Sequence, residues 1–205
     1  MKKEGSTGHA IIQKDASGQN CILLYGGANQ KITKEDVDLV LKSFDEDDYL
    51  ILQNEISQVD YIMKQAYEKG MRIVFNPSPI SEKIKDYPLE CVEYLVLNEV
   101  EIDQINDLFG KQASSVEASE SNEKESNIKI DIASVLKEII NEQHLDKELV
   151  HQINQLMIKL PNTKIILTLG SKGAIYIDKS KLFFKKHIKC KLWIPQEQEI
   201  HLLDT

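Results

Sequence analysis

Short apolar runs alternate with longer amphipathic stretches along most of the chain. Four of these runs are continuously hydrophobic and stop at polar or turn-forming residues, as strands covered on both faces do. They are YLILQ from Tyr49, RIVF from Arg72, YLVL from Tyr94 and KIILTL from Lys164. Two shorter runs, AIYI and LFF, follow the fourth. The alternation predicts an α/β fold with a mainly parallel sheet and helices on both faces.

The stretches between the strands carry helix signals. Thr33 and Asp36 form a capping-box pattern ahead of an apolar helical face. A second helix is predicted from Ser57 to Gly70, because glycine commonly follows a helix end. A third is predicted from Glu99 to about Phe109. Two more amphipathic patterns cover residues 130–140 and 149–160.

Residues 1–27 depart from this alternation. HAIIQK and NCILLY are strand-like, and DASGQ between them supplies turn residues, so a β-hairpin is predicted here. Residues 28–205 are then expected to form the α/β core. Within that core, residues 111–127 are rich in Ser, Glu, Lys and Asn and nearly lack large apolar side chains. This segment is predicted to be a disordered insertion.

Charge and cysteine content narrow the class of protein. A net charge of −8 over 205 residues argues against nucleic acid or an anionic membrane as the main partner. No apolar run approaches the ~20 residues needed to span a bilayer, and the N-terminus lacks the apolar segment of a secretory signal. The three cysteines are far apart and form no metal-binding pattern. A cytoplasmic protein with reduced thiols is expected.

Polar side chains follow each predicted parallel strand. Asn54 and Glu55 follow the first, Asn76 the second, Asn98 and Glu101 the third, and residues 168–173 the fourth. Because ligands of parallel sheets bind beyond the carboxyl ends of the strands, these groups are expected to share one rim.

Asn98 and Glu101 are three positions apart at the start of a predicted helix. An amide and a carboxylate on one helical face can hold a hydrated Mg²⁺, which keeps several waters and takes few protein ligands. The alternative is structural, since Glu99 and Glu101 in a first helical turn are favoured by the helix dipole alone. Both interpretations stay open at this point.

The TLGSKG segment after the fourth strand is a candidate anion-binding loop. Gly170 and Gly173 let backbone amides approach a phosphate, and Thr168 and Ser171 add hydroxyl groups. Taken alone the signal is weak, because a glycine-containing turn between two strands is common.

Seven segments together resemble the ribokinase branch of the PfkB carbohydrate kinase family. They occur in that family's order and at roughly its spacing, namely TGHAII, GGAN, LQNE, NPSP, LNEVE, TLGSKGA and LLDT. The resemblance covers nearly the whole chain outside residues 111–127 and the stretch KLWIPQEQEI. It implies a ribokinase-like three-layer α/β/α fold with a mainly parallel sheet, in which the hairpin is part of a small β-lid over the sugar.

The resemblance also implies cofactors and site residues. ATP, Mg²⁺ and K⁺ are the implied cofactors, and a homodimer through the β-lid is the implied assembly. Glu55 is expected to hydrogen-bond the sugar hydroxyls, and Asn98 and Glu101 to handle phosphate and Mg²⁺, with Glu101 reaching the metal through water. Asp204 corresponds to the K⁺ loop. The implied ATP-site loop consists of Thr168, Leu169, Gly170, Ser171, Lys172 and Gly173.

The activity implied by the resemblance is ATP-dependent phosphorylation of D-ribose at its 5-hydroxyl. Another sugar or nucleoside kinase of the family, or a non-catalytic nucleotide- or sugar-binding remnant, stays open. The family's catalytic aspartate belongs to an A-A-G-D sequence that would follow Thr205, so no catalytic residue is expected in this chain, and the chain by itself is expected to be inactive. Its G-G-K-G-A-N sugar motif would precede Met1. A fragment is therefore expected, and GGAN after the hairpin is assigned no sugar contact.

Overall fold

The computed structural model of the protein describes residues 4–14, 20–113, 147–179 and 181–186. The strands in these ranges are β1 His9–Lys14, β2 Asn20–Tyr25, β3 Tyr49–Gln53, β4 Arg72–Asn76, β5 Tyr94–Asn98, β6 Lys164–Thr168, β7 Gly173–Ile177 and β8 Leu182–Lys186. The α-helices are α1 Lys34–Leu41, α2 Val59–Glu68, α3 Glu99–Ala113 and α4 Lys147–Lys159. None of these helices is long and apolar enough to cross a membrane.

The described strands form two sheets. β1 and β2 pair antiparallel as a separate two-stranded sheet, and the other strands form a six-stranded sheet in the order β3-β4-β5-β6-β7-β8. Strands β3 to β6 are parallel, whereas β7 and β8 continue the sheet as an antiparallel meander. The α/β fold with a mainly parallel sheet is therefore confirmed.

All four described helices lie on one face of the six-stranded sheet. The buried side chains of the central strands, such as Ile73, Leu95 and Ile165, form one core with Met63 of α2 and Ile153 of α4. The strand order explains this, because right-handed crossovers that keep adding strands in one direction place every helix on the same face. The expectation of helices on both faces is thus not met within the described part of the chain. The helix pattern at 130–140 lies outside it.

Local signals explain most helix boundaries. Thr33 caps α1 in a full capping box, with the Asp36 amide donating to the Thr33 hydroxyl at 3.3 Å. Gly70, at φ +80°, follows the end of α2 as predicted. The start of α2 was predicted wrongly, since Ser57 lies before Gln58, which takes a left-handed φ of 63°, and the helix begins at Val59. The Ser57 amide instead donates a hydrogen bond to the Asn29 carbonyl, in a tertiary contact described below.

The third helix continues beyond its predicted end. α3 reaches Ala113, so residues 111–113 of the predicted insertion are helical in backbone. The rest of that segment lies outside the described residues, and its predicted disorder stays a prediction. A side-chain contact joins α3 to α4, where the buried Asn106 amide donates to the Gln152 carbonyl at 2.9 Å.

Charged groups cluster at the amino ends of the central strands. Arg72 donates to both oxygens of Glu93 at 2.8 and 2.6 Å, and Lys164 donates to Oε1 at 2.6 Å. The Arg72 hydrogen bond, aided by Lys164, holds the pKa of Glu93 at about 2, well below the ordinary value of 4.5, despite the opposing effect of burial. The Arg72 guanidinium also stacks 4.5 Å from the Tyr49 ring, so the cluster ties together four strands.

We expect Glu93→Gln to lower the free energy of unfolding near neutral pH and to do so less as the pH falls. A carboxyl with a depressed folded-state pKa contributes stability above its unfolded pKa, and that stability is lost as pH falls from about 4.5 to about 2. Urea denaturation of both proteins across this range measures the difference. Glu90→Gln, at an exposed carboxylate three residues earlier, is the control. A wild-type to Glu93→Gln difference that stays constant down to about pH 2 would contradict the assignment.

Candidate functional site

The carboxyl ends of the parallel strands bring the candidate groups to one edge of the sheet. Gln53 pairs with Asn76 at the ends of β3 and β4, and Asn98 pairs with Thr168 at the ends of β5 and β6. The predicted common rim is therefore present. It has two parts, a β5–β6 part with Asn98, Glu101 and residues 168–173, and a β3–β4 part with Asn54 and Glu55.

Asn98 and Glu101 form a reciprocal cap at the start of α3. Asn98 Oδ1 accepts hydrogen bonds from the amides of Val100 and Glu101 at 2.9 and 2.8 Å. Glu101 Oε2 accepts the Asn98 amide at 2.9 Å. This is the geometry of a capping box with asparagine in the cap position. Each side chain is held in place, and within the described ranges the cap uses only Oε2 of Glu101, at the N-terminus of the helix.

The loop after β6 lies directly beside this cap. Gly170 has φ +56° with open space where a side chain would be, and Gly173 has φ +131°, so both take conformations that favour glycine. Thr168 Oγ1 donates to the Leu97 carbonyl at 3.1 Å, which links the loop to the end of β5. Lys172 Nζ lies 3.8 Å from Glu99 Oε1, a loose surface pair.

Leu169 differs from the other loop residues. Its side chain is only 2% exposed and belongs to the core. Its amide donates to the Gly173 carbonyl at 2.8 Å, and its carbonyl accepts the Lys172 amide at 3.1 Å. Leu169 thus anchors the loop from below, while the exposed Ser171 and Lys172 and the glycine backbone face outward.

The β5–β6 part suits a phosphate group with a hydrated Mg²⁺. It combines the capped N-terminal end of a helix, a glycine-containing loop and one carboxylate oxygen. Among the described residues, no group of three or more His, Cys, Asp or Glu side chains is placed to hold a metal directly. Mg²⁺ takes few protein ligands and keeps several waters, which a single carboxylate oxygen suits better than it suits Ca²⁺ or Zn²⁺.

Asn54 organises the β3–β4 part of the rim. Its side-chain amide donates to the Pro79 carbonyl at 2.6 Å and to Ser81 Oγ at 3.1 Å. Its side-chain oxygen accepts the Tyr87 hydroxyl at 2.8 Å. Asn76 shapes the neighbouring turn, since its Oδ1 accepts the Ser78 amide at 2.9 Å. With Asn54 held by three partners, the exposed Glu55 that follows it emerges from a rigid base.

A cleft of about 380 Å³ separates this part of the rim from the base of the hairpin. Gly8, Leu24 and Tyr25 line it on the hairpin side, and Asn54 and Glu55 line it on the rim side. Glu55, predicted to bind a sugar, is therefore placed at a concave surface. The volume is in the range of small-molecule sites, roughly 300–1,000 Å³.

The segment between the hairpin and α1 ties the two sides of this cleft together. Gln30 Nε2 donates to the Glu55 carbonyl at 2.8 Å, and the Ser57 amide donates to the Asn29 carbonyl at 3.1 Å. Gly27, at φ +50°, crosses the chain before β1 so closely that a Cβ would lie 2.5 Å from the Ser6 carbonyl oxygen. Only glycine fits that crossing without displacement of the backbone.

Sequence reasoning missed the involvement of Gly26, Asn29 and Gln30 in this cleft. They belong to the GGANQ stretch, which was assigned no sugar contact, yet all three line the cleft beside Glu55. The sequence signal for this cleft was the pair of adjacent glycines followed by the side-chain amides of Asn29 and Gln30. Asp204, the predicted K⁺-site residue, lies outside the described residues.

The curated proteins that this chain resembles in sequence include several ribokinases. No family model matches the chain. The bifunctional ribokinase/ribose-5-phosphate isomerase A of Fructilactobacillus sanfranciscensis is 34% identical over 131 residues, covering 63% of this chain and 24% of that protein. The ribokinase of Staphylococcus aureus is 32% identical over 105 residues, covering 50% of this chain and 34% of that protein.

Solved structures agree in fold. A ribokinase from Cryptococcus neoformans in complex with ADP has a TM-score of 0.60 at 24% identity, over 93% of this chain and 54% of that one. An Arabidopsis thaliana ribokinase complexed with ribose and ATP has a TM-score of 0.53 at 21% identity, over 90% and 50%. The chain thus spans about half the length of these structures. Its matches to the two curated relatives cover 24% and 34% of their lengths.

We expect the cap on α3 to contribute measurably to stability. Asn98→Ala removes the acceptor of two amides and should lower the free energy of unfolding by about 1–2 kcal/mol. Glu101→Gln keeps an oxygen acceptor for the Asn98 amide, so its cost should stay within about 1 kcal/mol. Urea denaturation measures both, with Thr33→Ala at the start of α1 as a reference cap. An Asn98→Ala protein as stable as wild type would show that the cap is not stabilising.

Proposed function

We propose that the chain is a ribokinase-like protein of the PfkB carbohydrate kinase type and that it serves ATP-dependent transfer of the γ-phosphoryl group to the 5-hydroxyl of D-ribose. In this proposal the chain supplies the phosphate-binding part of the nucleotide site and one carboxylate of the sugar site. The observation that carries it is the placement of the Asn98–Glu101 cap and residues 168–173 on the same sheet edge as Glu55.

The β5–β6 part of the rim acts on the nucleotide. The backbone amides of Gly170 and Ser171 and the Ser171 hydroxyl would donate to phosphate oxygens, and Lys172 adds a flexible positive charge. The Thr168 hydroxyl, also predicted to be a donor, already donates to the Leu97 carbonyl. Because Oδ1 of Asn98 and Oε2 of Glu101 are committed to the cap, the free Glu101 Oε1 would bind a water of the magnesium shell. Bound Mg²⁺ would supply charge neutralisation on the phosphates. Asp204 stays the proposed K⁺-site residue on the resemblance alone.

The β3–β4 part acts on the sugar. Glu55 would accept hydrogen bonds from two sugar hydroxyls. A hydrogen bond to a charged carboxylate is stronger than one to a neutral acceptor. The backbone of Glu55 is held by neighbouring contacts and not by its own exposed side chain. Gln30 binds the Glu55 carbonyl, and the preceding residue, Asn54, is fixed by its bond to the Pro79 carbonyl. The hairpin on the other side of the cleft would exclude water from the bound sugar, as a lid does.

Nucleotide binding is expected to depend on Glu101 when Mg²⁺ is present. Glu101→Gln should weaken Mg-ADP binding by about tenfold, the worth of one charge-assisted hydrogen bond, and should leave ADP binding in EDTA nearly unchanged. Isothermal titration with and without Mg²⁺ measures this. Glu99→Gln, in the same helical turn, is the matched control. Equal losses for the two variants would contradict a specific role for Glu101.

Sugar binding is expected to depend on Glu55. Glu55→Gln should weaken D-ribose binding by about tenfold and leave Mg-ADP affinity unchanged, since the two parts of the rim are separate. Ligand-detected NMR titration gives the ribose affinity, and Glu90→Gln on a distant exposed loop is the control. Ribose that binds Glu55→Gln as well as wild type would remove Glu55 from the sugar site.

A substrate panel tests the activity itself. The full chain is assayed for ADP release with Mg-ATP, K⁺ and either ribose, a hexose or a nucleoside. Release stimulated by ribose supports the proposal, and release stimulated by another acceptor alone assigns the chain to a different kinase of the family. Nucleotide and ribose binding without release from any acceptor is the result expected when the catalytic aspartate is absent from the assayed chain, and it supports the binding part of the proposal. Absence of both nucleotide and ribose binding would contradict the proposal.

A further inference from the structure

Tyr87 reaches the β3–β4 part of the rim from a distant part of the chain. Its hydroxyl donates to Oδ1 of Asn54 at 2.8 Å, across 33 residues of sequence. Asn54 directly precedes Glu55, and both residues line the cleft beside the hairpin. Tyr87 is not among the described residues that line this cleft, so any influence it has on a ligand there passes through Asn54.

Packing holds the Tyr87 ring in one place. The half-buried ring makes an edge contact with Phe75 of β4, with 6.1 Å between the ring centroids and an interplanar angle of 65°. Phe75 is fully buried, and the Tyr87 amide donates to the carbonyl of the equally buried Ile84 at 3.2 Å. Burial, aided by Asp60 and Asp86, raises the pKa of Tyr87 above its ordinary value of 10.0. The hydroxyl therefore stays protonated and able to donate at neutral pH.

The turn after β4 fixes the other end of the Asn54 side-chain amide. The amide nitrogen donates to the Pro79 carbonyl at 2.6 Å and to Ser81 Oγ at 3.1 Å. The Asn54 backbone amide donates to the Ser78 carbonyl at 3.1 Å. Because a carbonyl oxygen only accepts, the Pro79 contact sets the side-chain nitrogen on that side and leaves the oxygen for Tyr87. Both ends of the side-chain amide are thus committed to one orientation.

We propose that Tyr87 is a positioning residue, which acts through Asn54 to set where the Glu55 carboxylate meets the sugar. This role rests on the proposed function, because it concerns the same sugar site. Tyr87 and the turn after β4 hold the residue that precedes Glu55, and Gln30 Nε2 holds the Glu55 carbonyl at 2.8 Å. The backbone is therefore fixed on both sides of the Glu55 side chain.

A fixed backbone reduces the entropy that is lost when an exposed side chain binds a ligand. The Glu55 side chain is exposed, so binding has to restrict its rotation. If the backbone could move as well, that freedom would also be lost on binding, and the ribose affinity would fall. A hydroxyl that served the fold alone would act differently, since its removal would lower the free energy of unfolding and leave the ribose affinity of the folded protein unchanged.

Hydrogen exchange of the free protein tests whether Tyr87 holds Asn54. Tyr87→Phe keeps the packed ring and removes the hydroxyl, and Tyr67→Phe, at a residue 57% exposed on α2, is the matched control. Measured by NMR without ligand, exchange of the Asn54 amide should be about fivefold faster in Tyr87→Phe, because one hydrogen bond no longer opposes local opening. The Leu160 amide, which donates to a carbonyl of α4 at 2.9 Å, should exchange as in wild type.

Ribose binding tests whether the position of Asn54 matters to the sugar. Ligand-detected NMR should show that Tyr87→Phe weakens D-ribose binding about fivefold and that Tyr67→Phe leaves it unchanged. Mg-ADP affinity should be unchanged in both variants, because the Tyr87 hydroxyl binds on the β3–β4 part of the rim. In an Asn54→Ala background, Tyr87→Phe should cause no further loss of ribose affinity, because the bond through which it acts is already absent.

Faster Asn54 exchange together with weaker ribose binding in Tyr87→Phe supports the positioning role. Unchanged exchange or unchanged ribose affinity in this variant overturns it. A further loss of about the same size in the Asn54→Ala background would also overturn it, since Tyr87 would then not act through Asn54. Failure of the proposed function gives a different result, because the unaltered chain then binds no ribose, which removes the sugar role of Tyr87 whatever the exchange rates.

Discussion

Parallel pairing of β3 to β6 in a single, unreversed order is the constraint on which the rest of this structure depends. It brings the carboxyl ends of these strands to one edge, so that Asn98 lies beside Thr168 in the ladder. It also sends every described crossover helix to the same face, because each right-handed connection steps in the same direction. One property of the sheet thus creates both the polar rim and the exposed apolar surface behind it.

Structural and chemical roles coincide at the start of α3. The same Asn98 and Glu101 atoms that begin the helix also hold the side chains in one orientation beside the loop after β6. The two interpretations of this motif therefore do not compete, because a cap uses only part of the oxygen capacity of each group. A ligand that binds here meets groups whose conformational entropy has already been lost on folding.

The cleft beside Glu55 is assembled from parts of the chain that are distant in sequence. Gln30 reaches the Glu55 carbonyl, Tyr87 reaches Asn54, and the Gly27 crossing sets the angle at which the hairpin leaves the core. The segment that follows the hairpin is thereby hydrogen-bonded to the loop that carries Glu55. In the proposed function the hairpin is a lid over the sugar, and its closing would also position Glu55.

Periodicity and capping by themselves determined the hairpin, the four parallel strands, α1 and the end of α2, because these depend on contacts within a few residues. They also determined the common rim, since strand direction follows from strand–helix alternation.

Tertiary structure decided the rest. Ser57 lies before α2, where its amide and hydroxyl donate to the Asn29 and Ile32 carbonyls, and Leu169 packs in the core at 2% exposure. The position of Gln30 against Glu55 and the bare sheet face depend on strand order and long-range packing, which no local pattern encodes.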